Sequence, residues 1–277
     1  MREAILPIVL AWSALAGACG PGGRSGSGGG DDDGHGEPDG GNGPGSSTGD
    51  DGSLDFVYAH TASELYKVDP DTLDITLIGS FTWSNGPDEM TDLAINKDNL
   101  MIGLSFTSVY RVDPMTADAH RLSDSGNSFN GLSFVPADSI GQTGDDILVG
   151  TRNSDGVVMR IDTATGQFAP IGNMGSYASS GDLCSVKGFG TIQTAAGNGD
   201  DTLVTLAPNS FAATAIGNGV GFGGVYGLAF WKHHIFGFTS DGKFITIDPT
   251  TGVGTLVRST FQAWTGAAVR TTAPVLE

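Results

Sequence analysis

Apolar residues along this chain come in short runs of Val, Ile, Leu, Phe and Tyr, each cut off by Gly, Asn or an Asp-Pro step. No stretch carries the long periodic runs of Ala, Leu, Glu and Lys that a helix needs. The pattern predicts an all-β chain built from short strands and tight turns.

The runs repeat. Leu65-Tyr66-Lys67-Val68-Asp69-Pro70-Asp71-Thr72 returns as Val109-Tyr110-Arg111-Val112-Asp113-Pro114-Met115-Thr116. It returns again as Val158-Met159-Arg160-Ile161-Asp162-Thr163-Ala164-Thr165 and as Phe244-Ile245-Thr246-Ile247-Asp248-Pro249-Thr250-Thr251. A degenerate copy, Leu203-Val204-Thr205-Leu206-Ala207-Pro208-Asn209-Ser210, fills the gap. From Asp69 to Asp113, Asp162, Ala207 and Asp248 the steps are 44, 49, 45 and 41 residues. A period in the forties made of short strands is that of a four-stranded propeller blade. The second copy divides into strands over Thr91–Ile95, Asn99–Phe106, Ser108–Pro114 and Ala117–Ser123. Its Asp-Pro-x-Thr tetrad reads as a type I turn in which Asp caps the backbone and Pro pre-sets φ. The recurrent Asp residues are therefore structural, and Gly166 and Gly252 behind the tetrad suit positive φ.

One strand-like piece, Asp55–Thr61, precedes the first copy, and one, Thr265–Thr271, follows the last. Together with Glu64–Pro70 and Asp74–Ser80 they make up a blade. The expected fold is all-β: a five-bladed β-propeller of four-stranded antiparallel blades, closed by N- and C-terminal strands in one blade, which leaves no free edge. The strand, I-D-x-x-T-G, strand pattern, as in Ile161 to Gly166 and Ile247 to Gly252, resembles YVTN and NHL-type propeller repeats over residues 54–271. Such a resemblance implies a fold and leaves the function open, since propellers of this kind serve as binding modules, scaffolds and enzymes.

The amino-terminal fifth has a different composition. Arg2 and the apolar stretch Ala4 to Ala18 have the form of a signal peptide over residues 1–19, too short to span a bilayer comfortably. Leu15-Ala16-Gly17-Ala18-Cys19 resembles a bacterial lipobox, in which Cys19 is acylated. Ala16 stands where that pattern prefers Leu, and Ala16-Gly17-Ala18 would also serve an ordinary signal peptidase. Residues 20–53 are almost entirely Gly, Ser, Asp, Pro and Asn, with nothing to bury. They read as a disordered tether with a reach of roughly 30 Å, like those behind the acylated Cys of Gram-negative lipoproteins. Asp31, Asp32, Asp33, His35, Glu37 and Asp39 within it read as solvation. The domain is expected over 54–277, on a chain exported to a bacterial cell envelope as an outer-membrane or periplasmic lipoprotein, or else secreted.

Charge narrows the partners. From Leu54 onward 23 acids stand against 11 bases, a net charge near −12. That excludes nucleic acid, whose phosphates require a basic face, and adsorption to anionic lipid. Any membrane contact would come through the lipid on Cys19 alone.

Candidate chemistry is sparse. Aligned, the inner strands open on Asp92, Gly131, Asp182, Gly227 and Gly266, followed by a column of Ala94, Ser133, Cys184, Ala229 and Ala268. Asp92 and Asp182 either hold a cation such as Ca²⁺ at the axis or accept backbone N–H bonds from neighbouring blades. No other cofactor is implied. Cys184 reads as a buried filler without a disulfide partner, and His60, His120, His233 and His234 have no assignable proximity to it. His233 and His234 read as a surface turn. Gly217 to Gly227 lacks the Lys and helix of a phosphate loop.

Trp83, Asn85, Asp88, Glu89, Tyr177, Phe222 and Trp264 fall in connections that run from an outer strand to the next inner strand, and so share one face. Aromatic rings beside Asn and Asp suit sugar or peptide recognition; packing between blades is the competing reading. The functional expectation is a non-enzymatic binding or scaffold propeller for a protein or glycan at the envelope. The alternative is a glycosidase, because some five-bladed propellers arrange axial carboxylates around a sugar; here that set would be Glu89, Asp92 and Asp182.

Overall fold

The computed structural model describes residues 56–125 and 129–276. The signal-like segment, Cys19 and the 20–53 spacer lie outside the described residues. Five antiparallel blades of four strands stand around one axis. Blade I orders Gly266–Ala268, Val57–His60, Glu64–Val68 and Ile75–Ser80 from the axis outward. Blade II runs Asp92–Ile95, Met101–Leu104, Ser108–Val112 and Asp118–Asp124, and blade III runs Phe129–Val135, Ile147–Arg152, Val157–Ile161 and Phe168–Asn173. Blade IV comprises Ser179–Val186, Gly190–Ala195, Thr202–Leu206 and Ala213–Ala215. Blade V comprises Val225–Trp231, His234–Thr239, Lys243–Ile247 and Gly254–Ser259. The inner strand of each blade packs against those of the blades on either side, in a closed ring. In blade I, Tyr58 stands opposite Ala268 and His60 opposite Gly266.

Burial falls from axis to rim. Asp92–Ile95 and Gly266–Ala268 are buried at every position, because each inner strand meets neighbouring blades on both faces. The outermost Ile75–Ser80 and Phe168–Asn173 have no buried residue. The apolar core lies between the blades. Phe238 and Phe244 stack at 4.8 Å, and Trp264 meets Phe238 edge-on at 5.5 Å and Tyr66 at 5.2 Å, joining blade V to blade I. Burying such a ring fully contributes about 1.5–3 kcal/mol. The connection from blade I to blade II adds a short strand, Thr82–Trp83, parallel to the rim strand of blade II, and so covers part of that edge. Among the described residues the one helical turn is Ala137–Ile140, inside blade III.

The Asp-Pro tetrads form the rim hairpins. Asp69 Oδ1 accepts the N–H groups of Asp71 and Thr72, both at 2.9 Å. Asp162 and Asp248 do the same for Ala164 and Thr165 and for Thr250 and Thr251. Led by the Thr N–H in each turn, these bonds hold the Asp69, Asp162 and Asp248 carboxyls below the ordinary carboxylate value. The residue four beyond each marker is left-handed in all five copies: Leu73 (φ 64), Ala117 (65), Gly166 (68), Phe211 (58) and Gly252 (71). Three copies thus tolerate a side chain at positive φ, at a cost of about 1–2 kcal/mol each.

Gly252 cannot join them, since a Cβ there would stand 2.3 Å from the backbone oxygen of Ile216. Gly252→Ala is expected to lose at least about 2 kcal/mol in urea unfolding of the full chain, from left-handed strain and displacement of that carbonyl together. A change within about 0.5 kcal/mol would show that the turn relaxes freely.

Candidate functional site

Each inner strand begins at the same end of the axis, so its first residues meet those of four other blades. There Asp182 acts as a bridge. Its Oδ1 accepts the N–H of Leu183 at 2.6 Å, and its Oδ2 accepts those of Leu228 in blade V at 2.8 Å and Ala267 in blade I at 3.1 Å. Asp92 Oδ1 accepts the N–H of Leu93 at 2.8 Å, and the Leu132 N–H of blade III also bonds to this carboxyl. Both carboxyls are buried, 1 % and 0 % exposed, and they lie within hydrogen-bonding reach of each other.

Desolvation, and then the charge of Asp182, drive the Asp92 pKa well above the ordinary 3.8. Asp182 is also raised by desolvation, but three backbone N–H groups and Asp92 act against that rise. Of the two, Asp92 holds its proton the more tightly and donates it to Asp182. As a carboxylate, Asp92 Oδ2 would be buried without any donor.

His60 completes the floor of the axis. It is fully buried, with Nδ1 3.0 Å from both the Thr61 oxygen and Thr265 Oγ1, while its Nε2 has no partner. Burial lowers its pKa from 6.5 to about 4, against the lifting effect of the Thr61 bond, so the ring is neutral at physiological pH. Gly266 makes the room: a Cβ there would be 2.3 Å from His60 Nε2 and 2.7 Å from Asp92 Oδ1. What fills the space opened by glycine between the two Asp is an imidazole and the carboxyls themselves. Below them Ala94, Ser133, Cys184 and Ala268 close the axis without leaving a water-sized cavity. Burial pushes the Cys184 thiol far above its ordinary value, so it stays protonated.

The oxygen lone pairs that a Ca²⁺ at Asp92 and Asp182 would use are those that accept these N–H bonds. Among the described residues no three His, Cys, Asp or Glu side chains form a metal-holding group.

Above the floor the axis opens into a shallow cavity of about 260 Å³, walled by Phe106, Phe129, Tyr226, Met90 and Ala62, with Glu89, Thr91, Asn153 and Thr265 among them. Phe106 is 63 % and Tyr226 40 % exposed. Asn153 Oδ1 is buried without a donor. Of the seven ligand-binding residues expected from sequence, Glu89 alone lines this mouth. Trp264 is fully buried, its Nε1 donating to Thr260. Trp83 packs on Phe81 and Tyr110, and Tyr177 and Phe222 pack against the core between blades. Asn85 is exposed away from the cavity. Asp88 is a structural acceptor for Ser105 (2.6 Å), Tyr110 (2.7 Å) and Thr107 (3.1 Å). Partial burial would raise its pKa, but these hydroxyls outweigh it and the carboxyl is lowered.

Sequence reading missed Phe106, Asn153 and Tyr226. A usable signal was present: Thr91, Tyr226 and Thr265 each sit one place before the axial column of Asp92, Gly227 and Gly266. Glu89, Asp92 and Asp182 do not meet in one solvent-filled cleft, because Glu89 is at the mouth and the two Asp are sealed beneath. His233 and His234 form the exposed turn expected of them, with Lys232 and His233 both left-handed.

No protein-family model and no curated protein matches the chain. Among similar solved structures is one described as "The de novo evolutionary emergence of a symmetrical protein is shaped by folding constraints". It is 17 % identical with a TM-score of 0.51, over 80 % of this chain and 99 % of that one. The likeness concerns the fold alone.

The shared proton gives a pH signature. Asp92 holds its proton more tightly folded than unfolded, so its contribution to stability is complete below 3.8 and falls as pH rises toward the folded pKa. His60 does the reverse, contributing fully above 6.5 and losing that contribution toward about 4. Between about 4 and 6.5 the His60 slope opposes the decline in stability that loss of the carboxyl pair's proton brings. Asp92→Asn, which still donates to Asp182, is expected to flatten that decline in urea titrations of the full chain. Asp182→Asn offers one acceptor oxygen for three N–H groups and should be less stable than Asp92→Asn by about 1–3 kcal/mol. Equal stability of the two variants at pH 8, or a rise in the unfolding midpoint with Ca²⁺ that Asp182→Asn abolishes, would overturn the proton assignment.

Proposed function

We propose that this chain is a non-enzymatic recognition propeller displayed at a bacterial cell envelope, which takes its ligand at the mouth of the axis. In this reading residues 1–19 direct export, Cys19 carries a lipid, and residues 20–53 space the propeller from the membrane. The repeats are of the YVTN/NHL kind. The observation that carries the proposal is the aromatic cavity above a sealed floor. Phe106 and Tyr226 leave large apolar surface in water on the face that also presents the fully exposed Phe261. Exposed rings clustered on one face mark binding sites rather than stable surface. An architectural propeller would be expected to keep that face polar.

A glycosidase needs a protonated carboxyl and an ionised one, both in reach of the sugar and of water. Raised carboxyl pKa values are present at Asp92, Asp182 and Asp201, but these are buried, 0–7 % exposed, and accept backbone N–H bonds that hold the fold together. The sealed floor therefore favours binding.

Two measurements test this. In cells fed an alkyne-bearing fatty acid, the full chain is expected to take up label and Cys19→Ser to take up none; equal labelling would remove the anchor. In saturation-transfer NMR with a panel of amine, sugar and aromatic fragments, hits on the full chain should lose at least half their signal in Phe106→Ala/Tyr226→Ala. Met115→Ala, an exposed residue of a rim turn, should keep them. Hits indifferent to the double variant would place binding elsewhere.

A further inference from the structure

We infer that the axial mouth accepts an ammonium group, primary or quaternary, on a short apolar stem; this rests on reading the mouth as the binding face. Three properties of the cavity converge on that chemistry.

The first is charge. Among the described residues Glu89 is the one Asp, Glu, Lys or Arg lining the cavity, and no ion pair engages it. Arg152, next to Asn153 in sequence, is held by Asp155. The domain around it carries about twelve excess negative charges, so the field at the mouth favours cations and repels anions.

The second is the direction of the hydrogen bonds. Thr91 Oγ1 donates to the Leu104 carbonyl at 3.0 Å, so its hydrogen points into the blade and its lone pairs are left for the cavity. Thr265 Oγ1 is turned inward in the same way, toward His60 Nδ1 at 3.0 Å and the His60 and Met90 carbonyls at 3.3 Å each. The Glu89 carboxylate is acceptor only. These three residues offer acceptors that lack hydrogens, and an ammonium supplies donors while demanding no acceptor role in return.

The third is shape. Phe106 and Tyr226 present partly exposed rings, with Phe129 buried behind them, and a cation over an aromatic face is attracted by the ring quadrupole. At about 260 Å³ the cavity lies below the usual range for whole drug-sized ligands, roughly 300–1,000 Å³. It suits one headgroup or one side chain and has no room for an oligosaccharide.

The test is calorimetric titration of the full chain, with ¹H–¹³C spectra of its aromatic rings to locate binding. The free-amine probes are choline and n-butylammonium, against their neutral counterparts 3,3-dimethylbutan-1-ol and 1-pentanol. The peptide-borne probe is acetyl-Gly-Lys-Gly-amide, against the same peptide acetylated on its Lys side chain. At least one ammonium probe is expected to bind about tenfold tighter than its neutral counterpart and to move the Phe106 and Tyr226 resonances. Whether the amine or the peptide arm responds identifies the source. Glu89→Gln should weaken that binding about tenfold, as should Tyr226→Ala, with unfolding midpoints unchanged. Asp145→Asn, an exposed acid outside the cavity, should leave it unaltered. Equal binding of the charged and neutral partners, or indifference to Glu89→Gln, overturns the ammonium assignment. If methyl glycosides move the same ring resonances while ammonium probes do not, the mouth remains the binding face and its ligand is neutral. If neither set moves them, the ammonium assignment fails together with the reading of the mouth.

Discussion

Five inner strands converge on one axis, and the bond that lets them do so is the acceptance of three backbone N–H groups by the Asp182 carboxylate. Strands that begin at the centre of a propeller present N–H groups that their own blade cannot satisfy, and burial without a partner costs about 1–3 kcal/mol for each. One carboxylate in blade IV answers for its own strand and for blades V and I. A buried negative charge is expensive by itself, and here the N–H dipoles and the proton on Asp92 compensate it. The proton is as structural as any side chain at the axis. Without it two carboxylates would face each other in a region closed to water.

That arrangement constrains what the molecule can do. Sealing the floor takes both axial carboxyls and the His60 ring out of contact with solvent, so the groups most often sought as acid and base are committed to the fold. What remains to meet a ligand is the layer above: the first side chains before the inner strands, and the tips of the turns between second and third strands. Phe106 and Asn153 come from such turns, Thr91 and Thr265 from just before an inner strand, and Tyr226 from the start of one. In the proposed reading recognition and stability divide between successive positions of the same chain segments, linked where Thr265 bonds to His60.

Much of this was legible in the residues, for identifiable reasons. The Asp-Pro tetrads repeat because every blade needs the same hairpin, and a turn capped by its own Asp is a local feature of a few residues. The Asp92 and Asp182 column was found by alignment of blades, and its role as an N–H acceptor was one of two readings that residue type alone allowed. His60 was not legible. Its place depends on Gly266, some two hundred residues away, leaving a gap opposite it. The aromatics misled in an instructive way. Trp264 and Trp83 lie in long connections, where large rings look free for a ligand, yet a propeller must fill the wedges between its blades, and these rings do that, Trp264 against Tyr66 and Trp83 against Tyr110. In sequence Phe106 reads as the end of an ordinary strand. Exposure separates a binding ring from a packing ring, and it depends on what the neighbouring blade brings opposite.

The same logic says where specificity should be sought in a propeller of this build. At the axial column, substitution is restricted by five strands at once: Gly266 must stay small for His60, and Asp182 must accept three bonds. One residue earlier, Thr91, Tyr226 and Thr265 each keep part of their surface on the cavity. The Thr91 hydrogen is drawn into its own blade and Thr265 is turned toward the floor, while the Tyr226 ring is left partly exposed. The floor therefore does more than close the axis. By fixing His60 and the Met90 carbonyl where Thr265 can bond to them, it orients lone pairs toward the mouth and gives a surface otherwise built from aromatic rings its polarity.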